Sequence, residues 1–172
     1  MQKAVVIMGV AGCGKSSLGQ ALAESQQWPL IEGDDFHSPA NRKKMSEGIA
    51  LNDADRADWL ATLGAELQKH SAGVVLTCSA LKRAYRDRLR EAVPTLLFVF
   101  LEIERDEAQR RVVARSASHF FSASLVDNQF ATLESPVGEA GVLALKATEP
   151  LPVLLAQLLQ WLQSSTPNRR IA

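Results

Sequence analysis

The chain has 172 residues, of which 47% are apolar and 22% are charged, and nineteen basic residues balance nineteen acidic ones. This length suits one globular domain with its own core, and the neutral balance argues against nucleic-acid or membrane partners. The first residues already resemble a strand and no apolar run could span a bilayer, so we expect neither a signal peptide nor a membrane anchor. The two cysteines suggest no disulfide framework, which predicts reduced thiols and a cytoplasmic location.

A phosphate-binding loop follows the first apolar run, Ala4–Met8. Residues 9–16 read GVAGCGKS and fit G-x-x-x-x-G-K-[ST] at every fixed position. Glycines let backbone N–H groups surround phosphates, and a helix beginning near Lys15 directs its positive end at them. We expect Lys15 to reach the β- and γ-phosphates of ATP and the Ser16 hydroxyl to hold Mg²⁺. The nucleotide contacts predicted here are Gly9, Val10, Ala11, Gly12, Cys13, Gly14, Lys15, Ser16 and Ser17.

Beyond this loop, strands alternate with helices. Four further apolar runs predict strands at 28–31, 74–77, 96–101 and 142–145. Helices are expected at 18–23, 41–48, 53–71, 82–91, 105–117, 125–133 and 151–162. This alternation predicts a single α/β domain over residues 1–172, with a five-stranded parallel sheet, helices on both faces and a polar tail at 164–172.

Polar residues follow the second and third predicted strands, where ligands gather at the carboxyl edge of an open parallel sheet. Asp34 is a candidate base for an acceptor hydroxyl or a partner for Mg²⁺, although Asp is also common in turns. His37 could hydrogen-bond a polar acceptor or simply be solvated. Arg86 lies about one helical turn after Lys82 and could bind a substrate carboxylate, whereas most arginines of this helix would form a solvated face.

A second basic helix precedes a segment rich in small and aromatic residues. Arg111 and Arg115 are four residues apart and share a helix face. Arginines that close over the γ-phosphate favour phosphoryl transfer, so we predict that this pair belongs to a lid over residues 111–135. The alternative is that they only pair with Glu107 along the helix.

Five stretches together resemble the gluconokinases, a family of small P-loop kinases. They are GVAGCGKS at 9–16; GD at 33–34 with His37, Asn41, Lys44 and Met45; Gly48 with Leu51, Asp53, Asp55, Arg56, Trp59 and Leu60; CSALK at 78–82 with YRD at 85–87 and LR at 89–90; and HFF at 119–121 with QF at 129–130 and LE at 133–134. The middle stretches are far more specific than the phosphate loop alone.

The resemblance implies a fold similar to shikimate and nucleoside monophosphate kinases, transfer of the γ-phosphoryl group of ATP to the 6-hydroxyl of D-gluconate, and a homodimer. It implies catalytic roles for Lys15, Asp34, Arg111 and Arg115. The sugar acid would be bound by Asp34, His37, Lys82 and Arg86. The loop Lys146, Ala147 and Thr148 would flank the adenine.

The chain departs from the family pattern at several positions. Glu32 stands where Asp is usual, and the link at 116–118 before His119 is one residue longer, which changes the charge and register of the lid. Two other functions are compatible with a phosphate loop. Shikimate kinase is disfavoured because Gly73 stands alone where that family carries a glycine triplet. A nucleotide-dependent switch would need a partner surface, and the sequence offers no exposed apolar patch for one.

Overall fold

A computed structural model describes residues 3–115 and 123–165. Five strands form one parallel sheet in the order β2-β3-β1-β4-β5. They are β1 Ala4–Met8, β2 Leu30–Glu32, β3 Val74–Thr77, β4 Leu97–Glu102 and β5 Val142–Lys146. The α-helices of the described residues are α1 Lys15–Gln26, α2 Pro39–Ser46, α3 Asp53–Gln68, α4 Arg83–Ala92, α5 Arg105–Ala114, α6 Ala123–Thr132 and α7 Leu151–Ser165. The predicted parallel α/β fold is confirmed.

The centre of the sheet explains the unbroken apolar runs of the sequence. β1 lies between β3 and β4, with Val5 opposite Val75 on one side and Leu97 on the other. Every residue of β1 is buried, and successive side chains of a strand point to opposite faces. Both faces of the sheet are therefore covered at this strand. Within the described residues, no helix is both long and apolar enough to cross a membrane.

Parallel pairing brings the carboxyl ends of the strands to one edge, where the chain continues into polar loops. The phosphate loop follows β1, and a short 3-10 helix, Gly33–Phe36, follows β2 directly. The segment 78–82 leaves β3 at the same edge and leads into α4. Three of the segments that are predicted to contain site residues therefore lie side by side at this edge of the sheet.

At Gly33, the 3-10 helix packs directly against the backbone at the end of β3. A Cβ atom at this position would lie 2.3 Å from the carbonyl oxygen of Thr77. The carbonyl of Gly33 also accepts a hydrogen bond from Trp59 Nε1 at 2.8 Å, which ties the 3-10 helix to α3. Because the clash is with backbone, we expect Gly33→Ala to lower the free energy of unfolding by about 1–3 kcal/mol in urea denaturation. An unchanged urea midpoint would contradict this packing argument.

Candidate active site

A cleft of about 590 Å³ lies at the carboxyl edge of the sheet. Its lining includes Lys15, Ser16, Asp34, His37, Arg56, Trp59, Ser79, Arg111, Arg115 and Gln129. Half of these lie in the segments that follow β1, β2 and β3, which is the usual place of ligand sites in this type of sheet.

The phosphate loop forms one wall of the cleft. Gly14 caps α1 with a φ of 96°, a left-handed value that glycine adopts without strain, and α1 then begins at Lys15. Lys15 Nζ donates to the carbonyl oxygens of Gly9 at 3.0 Å and Val10 at 3.1 Å. Of the predicted nucleotide contacts, the cleft is lined by Ala11, Gly12, Gly14, Lys15, Ser16 and Ser17. Val10 and Cys13 are buried instead, so only their backbone groups are candidates for phosphate contact.

The chemistry around Ser16 fits a magnesium ion. Ser16 Oγ donates to Glu32 Oε2 at 3.1 Å, and Thr77 Oγ1 donates to the same carboxylate oxygen at 2.5 Å. Mg²⁺ prefers oxygen ligands and is commonly held by one or two protein groups together with phosphate and water. Ser16 and Glu32 are therefore the residues that would hold it. Glu32 would supply the carboxylate at the position where the family that the sequence resembles usually has Asp.

Asp34 and His37 lie together on the floor of the cleft. His37 stacks on the Trp59 ring with centroids 4.2 Å apart, and its Nε2 atom lies 3.5 Å from Asp34 Oδ1. The Asp34 side chain is 65% exposed, whereas that of His37 is 3% exposed. Surrounding protein atoms raise the pKa of Asp34, but the hydrogen bond with His37 and the charge of Lys15 outweigh this effect. The pKa therefore lies below its usual value of 3.8, and Asp34 is ionised at neutral pH.

Arg56 brings a buried positive charge to the same cleft. It is 8% exposed and lies in the first turn of α3. The Asn52 cap and the Asp55 carboxylate form a capping box that fixes this turn. Within the described residues, the Arg56 guanidinium makes one hydrogen bond, from Nη1 to the uncharged Tyr85 hydroxyl at 3.2 Å. Because buried charges are normally paired, this guanidinium is suited to an anionic ligand group.

The two predicted lid arginines line the cleft from the side of α5. Arg111 donates to the carbonyl of Gly12 at 3.3 Å and to that of Ala147 at 3.2 Å, and so joins the phosphate loop to the loop after β5. It also pairs with Glu107 at 3.1 Å, so the helix pairing considered from the sequence is present too. Arg115 follows the last residue of α5. The lid link at 116–118 lies outside the described residues.

Comparisons with known proteins identify the family of this chain. A family model described as an AAA domain matches residues 5–136. A gluconokinase from Gluconobacter oxydans is 41% identical over 163 residues, which cover 93% of this chain and 91% of that protein. The chain belongs to the gluconokinase family. The resemblance inferred from the five sequence stretches is thus confirmed.

Two further members of the gluconokinase family support the same assignment. The thermoresistant gluconokinase of Escherichia coli is 36% identical over 159 residues, with 90% of each chain covered. The crystal structure of a gluconokinase from Sinorhizobium meliloti is 44% identical and has a TM-score of 0.83, with 95% of this chain and 97% of that chain covered. Fold and family therefore agree over nearly the whole length.

Two residues expected at the gluconokinase acceptor site lie elsewhere. Arg86 does not line the cleft: it is 1% exposed and its guanidinium is paired with Glu139 at 2.9 Å. Buried arginines need such partners, and Glu139 lies in a distant loop that no local pattern connects to α4. Lys82 pairs with Asp53 at 3.0 Å and lies beside the cleft rather than in its lining. This placement corrects the expectation that Arg86 contacts the sugar acid.

Other site residues of this family member depart from expectation or were missed. In the loop expected at the adenine, the Ala147 carbonyl accepts a hydrogen bond from the cleft residue Arg111, whereas Lys146 and Thr148 are exposed. A contact of this loop with the adenine stays a prediction. Gln129 of α6 was missed, although it belongs to one of the five stretches. Its Oε1 atom accepts a hydrogen bond from the backbone N–H of Ala11 at 2.7 Å, so α6 contacts the phosphate loop directly.

Proposed function

We propose that this protein is a gluconokinase that transfers the γ-phosphoryl group of ATP to the 6-hydroxyl of D-gluconate, giving ADP and 6-phospho-D-gluconate. The observation that carries the proposal is the composition of the cleft. A phosphate loop, an ionised carboxylate at Asp34 and a buried guanidinium at Arg56 line the same cleft. Such a cleft suits a triphosphate, an acceptor hydroxyl and a carboxylate in one complex.

On the nucleotide side, the backbone of the phosphate loop would bind the phosphates and Lys15 would neutralise charge between the β- and γ-groups. Arg111 and Arg115 would add positive charge and exclude water when the lid closes. Mg²⁺, held by Ser16 and Glu32, would supply further charge neutralisation on the phosphates. The proposal includes a homodimer and a cytoplasmic location, which rest on the family and on two free, buried cysteines.

On the acceptor side, Asp34 would accept a hydrogen bond from the 6-hydroxyl and orient its oxygen toward the γ-phosphorus. A carboxylate of low pKa is a weak base, which is sufficient because the transition state of phosphoryl transfer is loose and the proton leaves late. His37 would fix the carboxylate through its Nε2 atom. Arg56 takes over the carboxylate-binding role that the sequence had suggested for Arg86.

The reaction is tested by ADP release in the presence of ATP and Mg²⁺. The acceptor panel contains D-gluconate, idonate, shikimate, nucleoside monophosphates and a blank without acceptor. We expect ADP release to depend on gluconate, with 6-phospho-D-gluconate as the product. Slow ADP release that is indifferent to every acceptor would overturn the proposal and would favour a nucleotide-dependent switch.

Arg56→Met should weaken the binding of gluconate much more than that of ATP. A charge-assisted hydrogen bond is worth about 1.5–3 kcal/mol, so we expect the KM for gluconate to rise roughly 10- to 150-fold. The KM for ATP should change less than about threefold, because Arg56 does not belong to the phosphate-binding groups. Arg88→Met, on the exposed face of α4, is the matched control.

A neutral acceptor separates this role from a structural one. D-glucitol keeps the 6-hydroxyl of the sugar acid and lacks its carboxylate, so Arg56 gives it no charge-assisted contact. We expect wild-type protein to prefer gluconate over glucitol and Arg56→Met to lose most of that preference. Equal losses of kcat/KM with both acceptors would show that Arg56 only supports the fold.

His37→Leu should shift the acid limb of the pH profile upward. Asp34 must be ionised to accept the hydroxyl proton, so activity is lost as the pH falls through its pKa, which lies below 3.8 in the native protein. Removing His37 removes the largest effect that lowers this pKa, and the opposing effect of burial remains. We expect the decline in kcat to begin at higher pH in the variant, measured from about pH 3 to pH 8 so that the onset of the wild-type decline is included.

His37→Gln restores a neutral hydrogen-bond donor and serves as the companion variant. Its acid limb should lie between those of the wild type and His37→Leu. Circular dichroism at each pH confirms that the folded state is compared. An acid limb that coincides in all three proteins would contradict the pairing of His37 with Asp34.

A further inference from the structure

The segment 78–82, between β3 and α4, joins the phosphate loop to the acceptor side of the cleft. Ser79 lines the cleft, and its carbonyl oxygen accepts a hydrogen bond from the N–H of Gly9 at 3.3 Å. Gly9 is the first glycine of the phosphate loop. A shift of this segment would therefore disturb both the cleft wall at Ser79 and the entry to the phosphate loop.

Ala80 gives this segment a strained turn. It is fully buried and has a φ of 47°, in the left-handed region that a residue with a Cβ atom rarely adopts. Among the described residues, Gln27 is the other non-glycine residue with positive φ, at 56°, and it ends α1 at the opposite end of that helix from the phosphate loop. Such a conformation persists only where surrounding contacts enforce it.

Arg86 provides those contacts. Its Nη1 atom donates to the carbonyl oxygens of Ala80 at 2.8 Å and Leu81 at 3.1 Å, and its Nη2 atom donates to that of Glu134 at 3.0 Å. The Glu139 carboxylate, whose side chain is 9% exposed, accepts a hydrogen bond from Nε at 3.0 Å and forms an ion pair with Nη2 at 2.9 Å. It thereby neutralises the buried charge of Arg86. The planar guanidinium thus satisfies three carbonyls and one carboxylate at fixed angles, which an ammonium group cannot do.

We infer that Arg86 is a positioning residue for phosphoryl transfer: it holds Ala80 in the left-handed conformation and thereby fixes Ser79 and the phosphate loop. This inference rests on the proposed function only in that kcat is measured with gluconate as the acceptor. It also explains why a fully buried arginine lies so close to the cleft without lining it. A salt bridge that served stability alone would need Glu139 but not the carbonyls of Ala80 and Leu81.

The experiment uses the full chain and asks whether glycine at position 80 rescues an Arg86 variant. Arg86→Lys keeps a positive charge for Glu139, which favours folding, but loses the paired contacts to the two carbonyls. We expect kcat with gluconate to fall roughly 10- to 100-fold, since small displacements of reacting groups have effects of this size. The KM for ATP should rise by a smaller factor than kcat falls, because the phosphate-binding groups remain although their loop is held less firmly.

Adding Ala80→Gly to Arg86→Lys should restore kcat by about fivefold or more, because glycine adopts the left-handed conformation without the penalty that Ala pays. Ala80→Gly alone should be close to wild type. Gln27→Gly in the Arg86→Lys background is the matched control, since it relieves the same kind of strain far from the cleft. It should raise the thermal midpoint without restoring kcat.

Equal recovery of kcat with Gln27→Gly and Ala80→Gly would overturn the inference in favour of global stability. An unchanged kcat in folded Arg86→Lys would overturn it as well.

Amide hydrogen exchange gives a readout that needs no acceptor. The N–H groups of Gly9 and Glu134 donate to the carbonyls of Ser79 and Leu81, so both should exchange faster in Arg86→Lys and regain protection with Ala80→Gly. If the wild type releases no more ADP with gluconate than without it, the proposed function fails, but the exchange pattern still decides the role of Arg86. Unchanged amide exchange in Arg86→Lys would overturn the inference that Arg86 is a positioning residue.

Discussion

Lys15→Ala should abolish phosphoryl transfer while the fold remains intact. Lys15 lines the cleft, and its ammonium group donates to two carbonyl oxygens and to the Cys13 sulfur, all within the phosphate loop. In the complex with ATP, this charge would act where negative charge spreads over the transferring group. Loss of one such electrostatic contact costs about 10²–10³-fold in kcat, and we expect at least the upper figure here because the full charge is removed.

The measurement is kcat for ADP release with gluconate, together with the thermal midpoint and the circular dichroism spectrum. Lys43→Ala, on the exposed face of α2, is the control for removal of a positive charge. We expect it to leave kcat within about twofold, because exposed charges outside the site contribute little. Turnover near the wild-type value in Lys15→Ala would refute the role of the phosphate loop in this protein.

The fold followed from local patterns of the chain. The apolar run of β1 and the glycine-rich loop after it define one strand, one turn and one helix, and the predicted strand 74–77 coincides with β3. Helix ends were predicted less well, since the helix expected at 105–117 ends at Ala114. The 3-10 helix Gly33–Phe36 was not predicted, because four residues are too short to show a period.

The site was predicted only where its chemistry is local. Asp34 could be found because it directly follows a strand in an open parallel sheet. Arg86 could not be placed correctly, because its partner Glu139 lies 53 residues away along the chain. Gln129 was missed for the same reason, since its contact with Ala11 spans 118 residues. Only the fold brings such pairs together.

Arg56 shows a different limit of the sequence. Arginines are abundant in this chain, and α4 alone contains Arg83, Arg86, Arg88 and Arg90. Nothing in their spacing distinguishes a solvated arginine from one that faces a ligand. The fold makes the distinction: Arg56 is buried and lines the cleft, Arg86 is buried but paired with Glu139, and Arg88 lies on the surface. A charge pattern therefore predicts an arginine for the substrate carboxylate but does not select Arg56, which is the residue that we propose.

Asp34→Asn should lower kcat by about 10²–10⁴-fold, which is the usual contribution of a positioned acid or base, and should leave the KM for ATP nearly unchanged. Asparagine has the shape of aspartate and can still contact His37, so the geometry of the 3-10 helix is preserved. It lacks the negative charge that draws the acceptor proton. Asp35→Asn is a close control, because the neighbouring carboxylate is also exposed but does not line the cleft.

The concentration of Mg²⁺ needed for half-maximal activity decides between the two roles that Asp34 has in the sequence argument. A carboxylate that helps to hold the metal raises this requirement when it is removed, as we expect for Glu32→Gln, because Glu32 shares a hydrogen bond with Ser16. Removal of a carboxylate that orients the acceptor lowers kcat at saturating Mg²⁺ and leaves the required Mg²⁺ concentration unchanged. We expect the second pattern for Asp34→Asn, since the Asp34 carboxylate pairs with His37 Nε2 at 3.5 Å. A shift in the Mg²⁺ requirement as large as that of Glu32→Gln, or equal losses in kcat and ATP affinity, would assign Asp34 to the metal instead.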